Sequence, residues 1–446
     1  MRIIIAGAGE VGTHLAKLLS KENHTIILLD ENGEKVKALE ANYDILGIEG
    51  LPTSLKDLKE AQVENADLFV AVTPYESTNI TACLLATNLG AKKTLARIDN
   101  YEYLLPKNLE FFQRLGVDSL IYPEMLAAKE IVSALKRGWV RQYVEFSDGA
   151  LVLLATKLRE NAPIVNKTIE EAFDKENSTV RIIMIKRLGM DIIAKGKDKI
   201  LAGDIVYFIT TKDNIEQVRI QAGKEDFEIN NIMILGGGSR IGVRAIQELP
   251  RNKNIKVIEQ NKEKSIRVIE NTDNVLVING DGRDLELLKN EDIESYDAFV
   301  ALTGNAETNI LACLTAKNFG VKRTVAEVEN LDYVPLAENL NIGSIINKKS
   351  LAASHIYKLI LGGNVSNVRC LTLADVEIVE FVAGEKSAIV KTPIKDIRLP
   401  ENVNIGGIIR DGVGFVAMGT SHIQPGDNVL VFCAEDTIRK VEKLFK

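Results

Sequence analysis

The sequence predicts an α/β fold: two doubly wound parallel-sheet lobes, each followed by a small α+β lobe, arranged as a tandem duplication. Three observations predict it. First, "DLFVAVTPYESTNITACLLATNLGAKKTLARI" (Asp67–Ile98) faces "DAFVALTGNAETNILACLTAKNFGVKRTVAEV" (Asp297–Val328) at an offset of 230, with seventeen of 32 positions identical. Two unrelated βαβ units would not match so closely, and a long internal repeat points to gene duplication. Second, short β-branched runs alternate with helical patterns in each large segment, as parallel sheets require. Third, a strand-rich stretch closes each half, matched at an offset of 223 around Gly203-Asp204 and Gly426-Asp427.

In the first large lobe, strands are expected at Ile3–Ala6, Thr25–Leu29, Asp44–Gly47, Leu68–Val72, Thr94–Ile98 and Ser119–Tyr122. Helices are expected at Val11–Ser20, Glu34–Ala41, Asn79–Leu89 and Glu102–Leu115. Right-handed crossovers then cover both faces of the sheet. A helix at Met125–Arg137 leads out of the lobe. Next come the strands "ALVLLATKL", "VRIIMIKRLGM" and "ILAGDIVYFIT" and a closing helix near Asn214–Gln221. The Gly-Asp before the last of these strands reads as a turn. The expected boundaries are 1–122 and 230–348 for the large lobes, 141–223 and 365–446 for the small ones, with crossover helices at 123–140 and 349–364.

Gly7-Ala8-Gly9-Glu10-Val11-Gly12 follows a strand and opens a helix. Gly7 allows the tight turn, Gly9 lets backbone approach a pyrophosphate, and Gly12 permits close helix–strand packing. The free N–H groups of the helix N-terminus favour phosphate. Asp30 ends the second strand, where a carboxylate accepts from a ribose 2′-OH and repels a 2′-phosphate. NAD(H) is therefore favoured over NADP(H). At the 230 offset the second loop reads Gly237-Gly238-Ser239-Arg240-Ile241-Gly242. Ser239 stands where the middle glycine is expected and crowds the phosphate path. Glu259 replaces Asp30. This lobe either binds a different ligand or keeps its fold without one.

Thr73 and Thr303 end the fourth strands and face the ligand crevice. Thr78-Asn79 and Thr308-Asn309 either line that crevice or cap the following helices. Arg97 ends the fifth strand, where it meets a phosphate or pairs with carboxylates; its match is Glu327.

The chain has 446 residues, 46 % hydrophobic and 26 % charged, with a formal net charge of −7. That charge argues against a nucleic-acid partner and against direct docking on anionic lipid. No apolar run approaches a bilayer span. The N-terminal strand leaves no room for a signal peptide. Cys83, Cys313, Cys370 and Cys433 lack metal-ligand spacing and read as buried apolar residues in a reducing compartment. No metal is expected. The four histidines (His14, His24, His355 and His422) share no motif with Asp or Ser. A dehydrogenase needs a general acid or base beside the nicotinamide. With none legible, the chain reads as a non-enzyme. An NAD-dependent oxidoreductase with a duplicated cofactor domain is the rival reading.

The doubled glycine loops, the paired "TNI.AC" segments and the small lobes with Gly-Asp turns resemble the regulator-of-K⁺-conductance family along essentially the whole chain. The resemblance implies NAD(H) most readily in the first lobe and ATP, ADP or another adenine nucleotide in the second. It implies a homo-oligomer, a tetramer by preference, that gates a membrane potassium channel or transporter subunit of the TrkH/TrkG type. The location implied is cytoplasmic and peripheral to the cell membrane through that partner. Carried over by position, Gly7, Ala8, Gly9, Glu10, Val11, Gly12, Asp30, Thr73 and Arg97 line one site. Gly237, Gly238, Ser239, Arg240, Gly242, Glu259 and Thr303 line the other, with Arg240 reaching a phosphate held by a neighbouring lobe. One departure is plain: Gly50-Leu51-Pro52-Thr53 replaces the Gly-Asp that the second lobe keeps in Gly280-Asp281-Gly282-Arg283.

Overall fold

Continuous apolar runs such as "RIIIA" are buried on both faces, as central strands of a helix-covered parallel sheet must be. The computed structural model describes residues 1–20, 24–173, 178–360, 365–370, 376–434 and 437–445. It divides into two compact units, Met1–Leu126 with Lys348–Ile360, and Ala127–Asn347 with Leu361–Lys446.

The first unit is built on β1 (Arg2–Ala6), β2 (Thr25–Asp30), β3 (Leu46–Glu49), β4 (Leu68–Ala71), β5 (Thr94–Arg97) and β6 (Ser119–Ile121). All pair in parallel, in the order β3-β2-β1-β4-β5-β6. The order reverses between β1 and β4, so a crevice opens at their C-terminal ends. Ile4, Phe69, Cys83 and Ile98 lie in its core. The helix Lys348–Ile360, though late in sequence, packs on the helix Glu10–Leu19.

The second unit holds three sheets. β7 (Gln142–Phe146), β8 (Leu151–Lys157), β9 (Val180–Arg187), β10 (Met190–Ile193) and β11 (Ile205–Thr210) form an antiparallel sheet. β12 (Asn231–Leu235), β13 (Asn254–Glu259), β14 (Val275–Asn279), β15 (Ala298–Ala301), β16 (Arg323–Glu327) and β17 (Ser344–Ile346) repeat the parallel sheet, ordered β14-β13-β12-β15-β16-β17. β18 (Val365–Cys370), β19 (Val376–Val382), β20 (Val403–Arg410), β21 (Val413–Val416) and β22 (Asn428–Ala434) repeat the antiparallel one.

The two small sheets share one core. Leu153, Ile183 and Tyr207 of the first cluster with Ile378, Leu430 and Phe432 of the second. Backbones come close enough there that a Cβ on Gly414 would sit 2.2 Å from the Ala150 carbonyl oxygen. Arg181 reaches across to Asn404 Oδ1 at 2.8 Å and to the Ala417 carbonyl.

Several local expectations shift. The third strand is Leu46–Glu49, two residues later than Asp44–Gly47, because Ala41–Tyr43 finish the preceding helix by bonding back to its carbonyls. The expected helix Glu102–Leu115 is a 3₁₀ turn, Tyr101–Leu104, followed by a helix at Pro106–Leu115. Pro106 has no N–H to continue a helix and holds Leu105 extended at ψ 141°. Cys83 and Cys313 are buried, which pushes both thiols up, Cys313 to about 12. The Cys370 side chain and residues 361–364 of the expected crossover lie outside what is described. Among the described residues no helix is long and apolar enough to cross a membrane.

Candidate functional site

In the first lobe, β1 runs into Gly7 at φ +114°, a conformation that suits glycine. A Cβ on Gly7 would lie 2.9 Å from Thr73 N, and one on Gly12 would lie 1.9 Å from the Gly7 carbonyl oxygen. Gly9 is the helix N-cap and faces open space, with nothing within 4 Å of an added Cβ. The N–H groups of the first turn are thus approachable. Asp30 clamps the turn: Ala8 N–H donates to Oδ2 at 2.6 Å and Asn32 N–H to Oδ1 at 2.9 Å. Glu10, the first helical residue, is exposed and ion-paired with Lys349 Nζ at 3.0 Å; Val11 is buried beneath it.

The second lobe repeats the clamp with Glu259, which accepts from Gly238 N–H at 3.2 Å and Asn261 N–H at 3.0 Å. Its glycine alignment differs from the expectation. Gly7 N–H bonds the Leu29 carbonyl, and it is Gly236 N–H, not that of Gly237, that bonds the matching Ile258 carbonyl. Gly236 also carries the positive φ, +73°. The first strand matches at 229 and the helix after it at 230, because one extra residue is absorbed in the second turn. Ser239 takes the N-cap, and its hydroxyl accepts from Gly242 N–H at 3.1 Å. It therefore occupies a donor that Gly9 leaves open.

A cleft of about 500 Å³ opens at the strand ends of this lobe, a volume that suits a small molecule. Gly236, Ser239, Glu259, Thr303 and the Gly280–Arg283 turn line it, with Asn261, Lys264 and Thr308. Gly237, Gly238, Arg240 and Gly242 do not. Cβ atoms on Gly237 and Gly238 would strike Val257 and Lys264 side chains, so these glycines serve packing. Arg240 is exposed at the start of its helix. Arg283 holds Asp281 through Nε at 3.0 Å and Nη2 at 2.7 Å, which keeps that carboxyl below its ordinary range.

Behind each crevice lies a polar hub. Asn79 does not cap its helix, which starts earlier at Glu76. Its buried amide instead accepts from Thr73 N–H (2.9 Å) and Oγ1 (2.7 Å) and donates to the Thr73 (3.0 Å) and Arg97 (2.9 Å) carbonyls. Asn309 does the same for Thr303 and Glu327, while Asn305 caps that helix. Both threonine hydroxyls are thus engaged inward. Arg97 pairs with the buried Glu124 at 3.3 Å and with Asp99 at 3.8 Å. Sequence reasoning missed Gly236, Lys264 and the hubs; the repeated Thr-x₅-Asn spacing was the available signal for the last.

Two parallel lobes, each presenting a helix N-terminus, a glycine turn and a clamping carboxylate to one crevice, define a duplicated protein of the Rossmann type. Models of the TrkA-N domain match residues 3–123 and 232–348, and those of the TrkA-C domain match 153–221 and 378–446. The chain belongs to the TrkA family. It is 32 % identical to the Trk system potassium uptake protein TrkA of Vibrio alginolyticus, covering all of this chain and 99 % of that one. It is 31 % identical to a TrkA homolog of Archaeoglobus fulgidus, with full coverage of both. Among solved structures, the GsuK RCK domain superposes with a TM-score of 0.62 at 17 % identity over all of this chain and 94 % of that one. The GsuK channel bound to NAD gives 0.61 at 17 %, over all of this chain and 78 % of that one.

Proposed function

We propose that the chain is a nucleotide-sensing regulatory subunit of a potassium uptake system, without chemistry of its own. The carrying observation is the paired clamp: Asp30 and Glu259 each accept from one N–H of the glycine turn and from one N–H two residues after themselves. Full-length similarity to proteins named for Trk potassium uptake supports the transport role. In this reading the first lobe takes NAD(H), its open Gly9 admitting the pyrophosphate and Asp30 selecting the 2′-OH. The second takes an adenine nucleotide in the 500 Å³ cleft, its phosphates facing Ser239 and Lys264. Four chains assemble beneath a membrane potassium channel or transporter of the TrkH/TrkG type, at the cytoplasmic face. Nucleotides act on it only through differential affinity for two arrangements of the lobes.

The test combines calorimetry with flux. NADH is expected to bind at least tenfold more tightly than NADPH. Potassium flux through the reconstituted membrane subunit is expected to respond to NADH, ATP or ADP only when this chain is present. Equal affinity for NADH and NADPH would remove the cofactor assignment. Flux indifferent to this chain would remove the regulatory one, and oxidation of NADH with a metabolite panel would remove the non-enzymatic reading.

A further inference from the structure

The parallel sheet of the second large lobe stops at an open edge. Among the described residues β14 pairs with β13 alone. Gly280 N–H bonds the Glu259 carbonyl at 3.1 Å, so by alternation along the strand Leu276 and Ile278 also bond inward. Val275, Val277 and Asn279 then turn their N–H and C=O groups outward.

The side chains beside that edge are apolar on both faces of the sheet. On one face the helix Lys262–Asn271 packs on β14 with Val268 buried, yet leaves Ile266 53 % and Ile269 63 % exposed. On the other face Leu276 is 55 % exposed; it alternates with Val277 and shares its side with Ile278, which packs on the core. Natural edge strands are guarded by charge, proline or a bulge. β14 reads Val-Leu-Val-Ile-Asn, with no charge, no proline and no shift of register.

The duplication supplies an internal control. Asn32 and Asn261 cap matching helices, so Lys37 stands for Ile266 and Glu40 for Ile269. Glu49 pairs with Asp30 and Asn279 with Glu259, so Gly47 of the edge strand β3 stands for Val277. In the first lobe Glu40 Oε1 accepts from Gly47 N–H at 3.2 Å and closes the edge from outside. Ile269 has no acceptor with which to do the same for Val277. The fold therefore does not need the two isoleucines, and their presence leaves the edge uncapped and apolar.

We propose that β14 pairs antiparallel with β14 of a second copy of this chain, across a two-fold axis. Such a patch must complement itself, and this one does. Centred on Val277, the pairing sets Val275 opposite Asn279 and Leu276 opposite Ile278 of the other strand. The two helices run antiparallel beside it and cover Ile266 and Ile269. They bring Lys262, at the start of one helix, toward Glu270 and Asp273 at the end of the other, all three exposed. β3 is not the partner, because Glu40 already takes its outward donor. This assembly does not depend on the nucleotide reading above.

Sedimentation without nucleotide compares the full chain with two variants. Ile266→Lys/Ile269→Glu writes the first lobe's residues into the second at two exposed positions. Val277→Pro removes an outward donor and keeps the inward ladder. Each variant is expected to sediment at half the mass of the unaltered chain, with unchanged far-ultraviolet circular dichroism. The Val275 amide is expected to exchange its hydrogen at least tenfold faster in the double variant than in the unaltered chain. Equal masses for the unaltered chain and the double variant, or equal exchange at Val275, overturn the proposal. So does a monomeric unaltered chain, which leaves the edge to a strand of another protein.

Discussion

Replacing Asn309 by Asp keeps the shape of the hub and removes half its chemistry. The carboxylate still accepts from Thr303 N–H and Oγ1, now at 3.0 and 2.6 Å. It no longer donates to the Thr303 carbonyl (3.0 Å) or the Glu327 carbonyl (2.8 Å). Asn309 is 1 % exposed, so water does not readily replace those donors. Each unsatisfied buried acceptor costs about 1–3 kcal/mol, and a charge facing two carbonyl oxygens adds to that. The expected loss is about 3 kcal/mol at neutral pH. The buried charge raises the pKa of that carboxyl, so as pH falls through it toward the ordinary value of about 4 the group protonates, one donor returns and the deficit narrows. Urea unfolding followed by Trp139 measures it: this is the chain's one Trp, buried in the same unit. A loss under about 1 kcal/mol, or one that does not shrink in acid, would refute the reasoning that the amide donors hold the crevice floor.

Gly9→Ala, whose Cβ meets nothing within 4 Å, should leave the melting temperature unchanged and weaken NADH binding at least tenfold, whereas Gly12→Ala should fail on both counts. Calorimetry beside thermal unfolding separates them. Asp204→Asn and Asp427→Asn should each destabilise by about 3 kcal/mol, since each leaves an arginine (Arg187 or Arg410) without its buried bidentate partner, as read by thermal unfolding. Lys224 holds its proton to about pH 8 when folded. The unfolded side chain holds it to about 10.4, so the unfolded chain binds more protons in that window and stability should rise with pH across it. Stability curves at pH 7, 9 and 10.5 should show the Lys224→Gln variant rising less than the parent.

Periodicity reveals the large lobes because buried parallel strands are short, apolar and evenly punctuated by helices. That Asp30 and Glu259 close the second strands was legible for the same reason, whereas their bonds to the backbone of the glycine turns were not. What escaped depends on tertiary partners. An ungapped offset from residues 67–98 hid the extra turn residue, so Gly236 was passed over for Gly237, whose missing Cβ only makes room for Val257. The Gly-Asp turns read as turns alone. In the structure Asp204 and Asp427 are 1 % exposed, each gripped by an arginine 17 residues earlier, a pairing no local pattern announces.

The single core shared by the two small sheets has a consequence for how the halves diverge. In a symmetric pair of identical chains, a change that suits one binding lobe is imposed on its twin. Here Ile183 and Phe432 sit in one core although they belong to different halves, and covalent linkage makes that contact asymmetric by inheritance. Each lobe can then drift alone: an open Gly9 in one turn and a capping Ser239 in the other, Leu51 against Asp281, Glu40 against Ile269. Fusion turns one lobe made twice into two lobes with separate histories, in a chain whose small sheets stay joined by a hydrophobic seam.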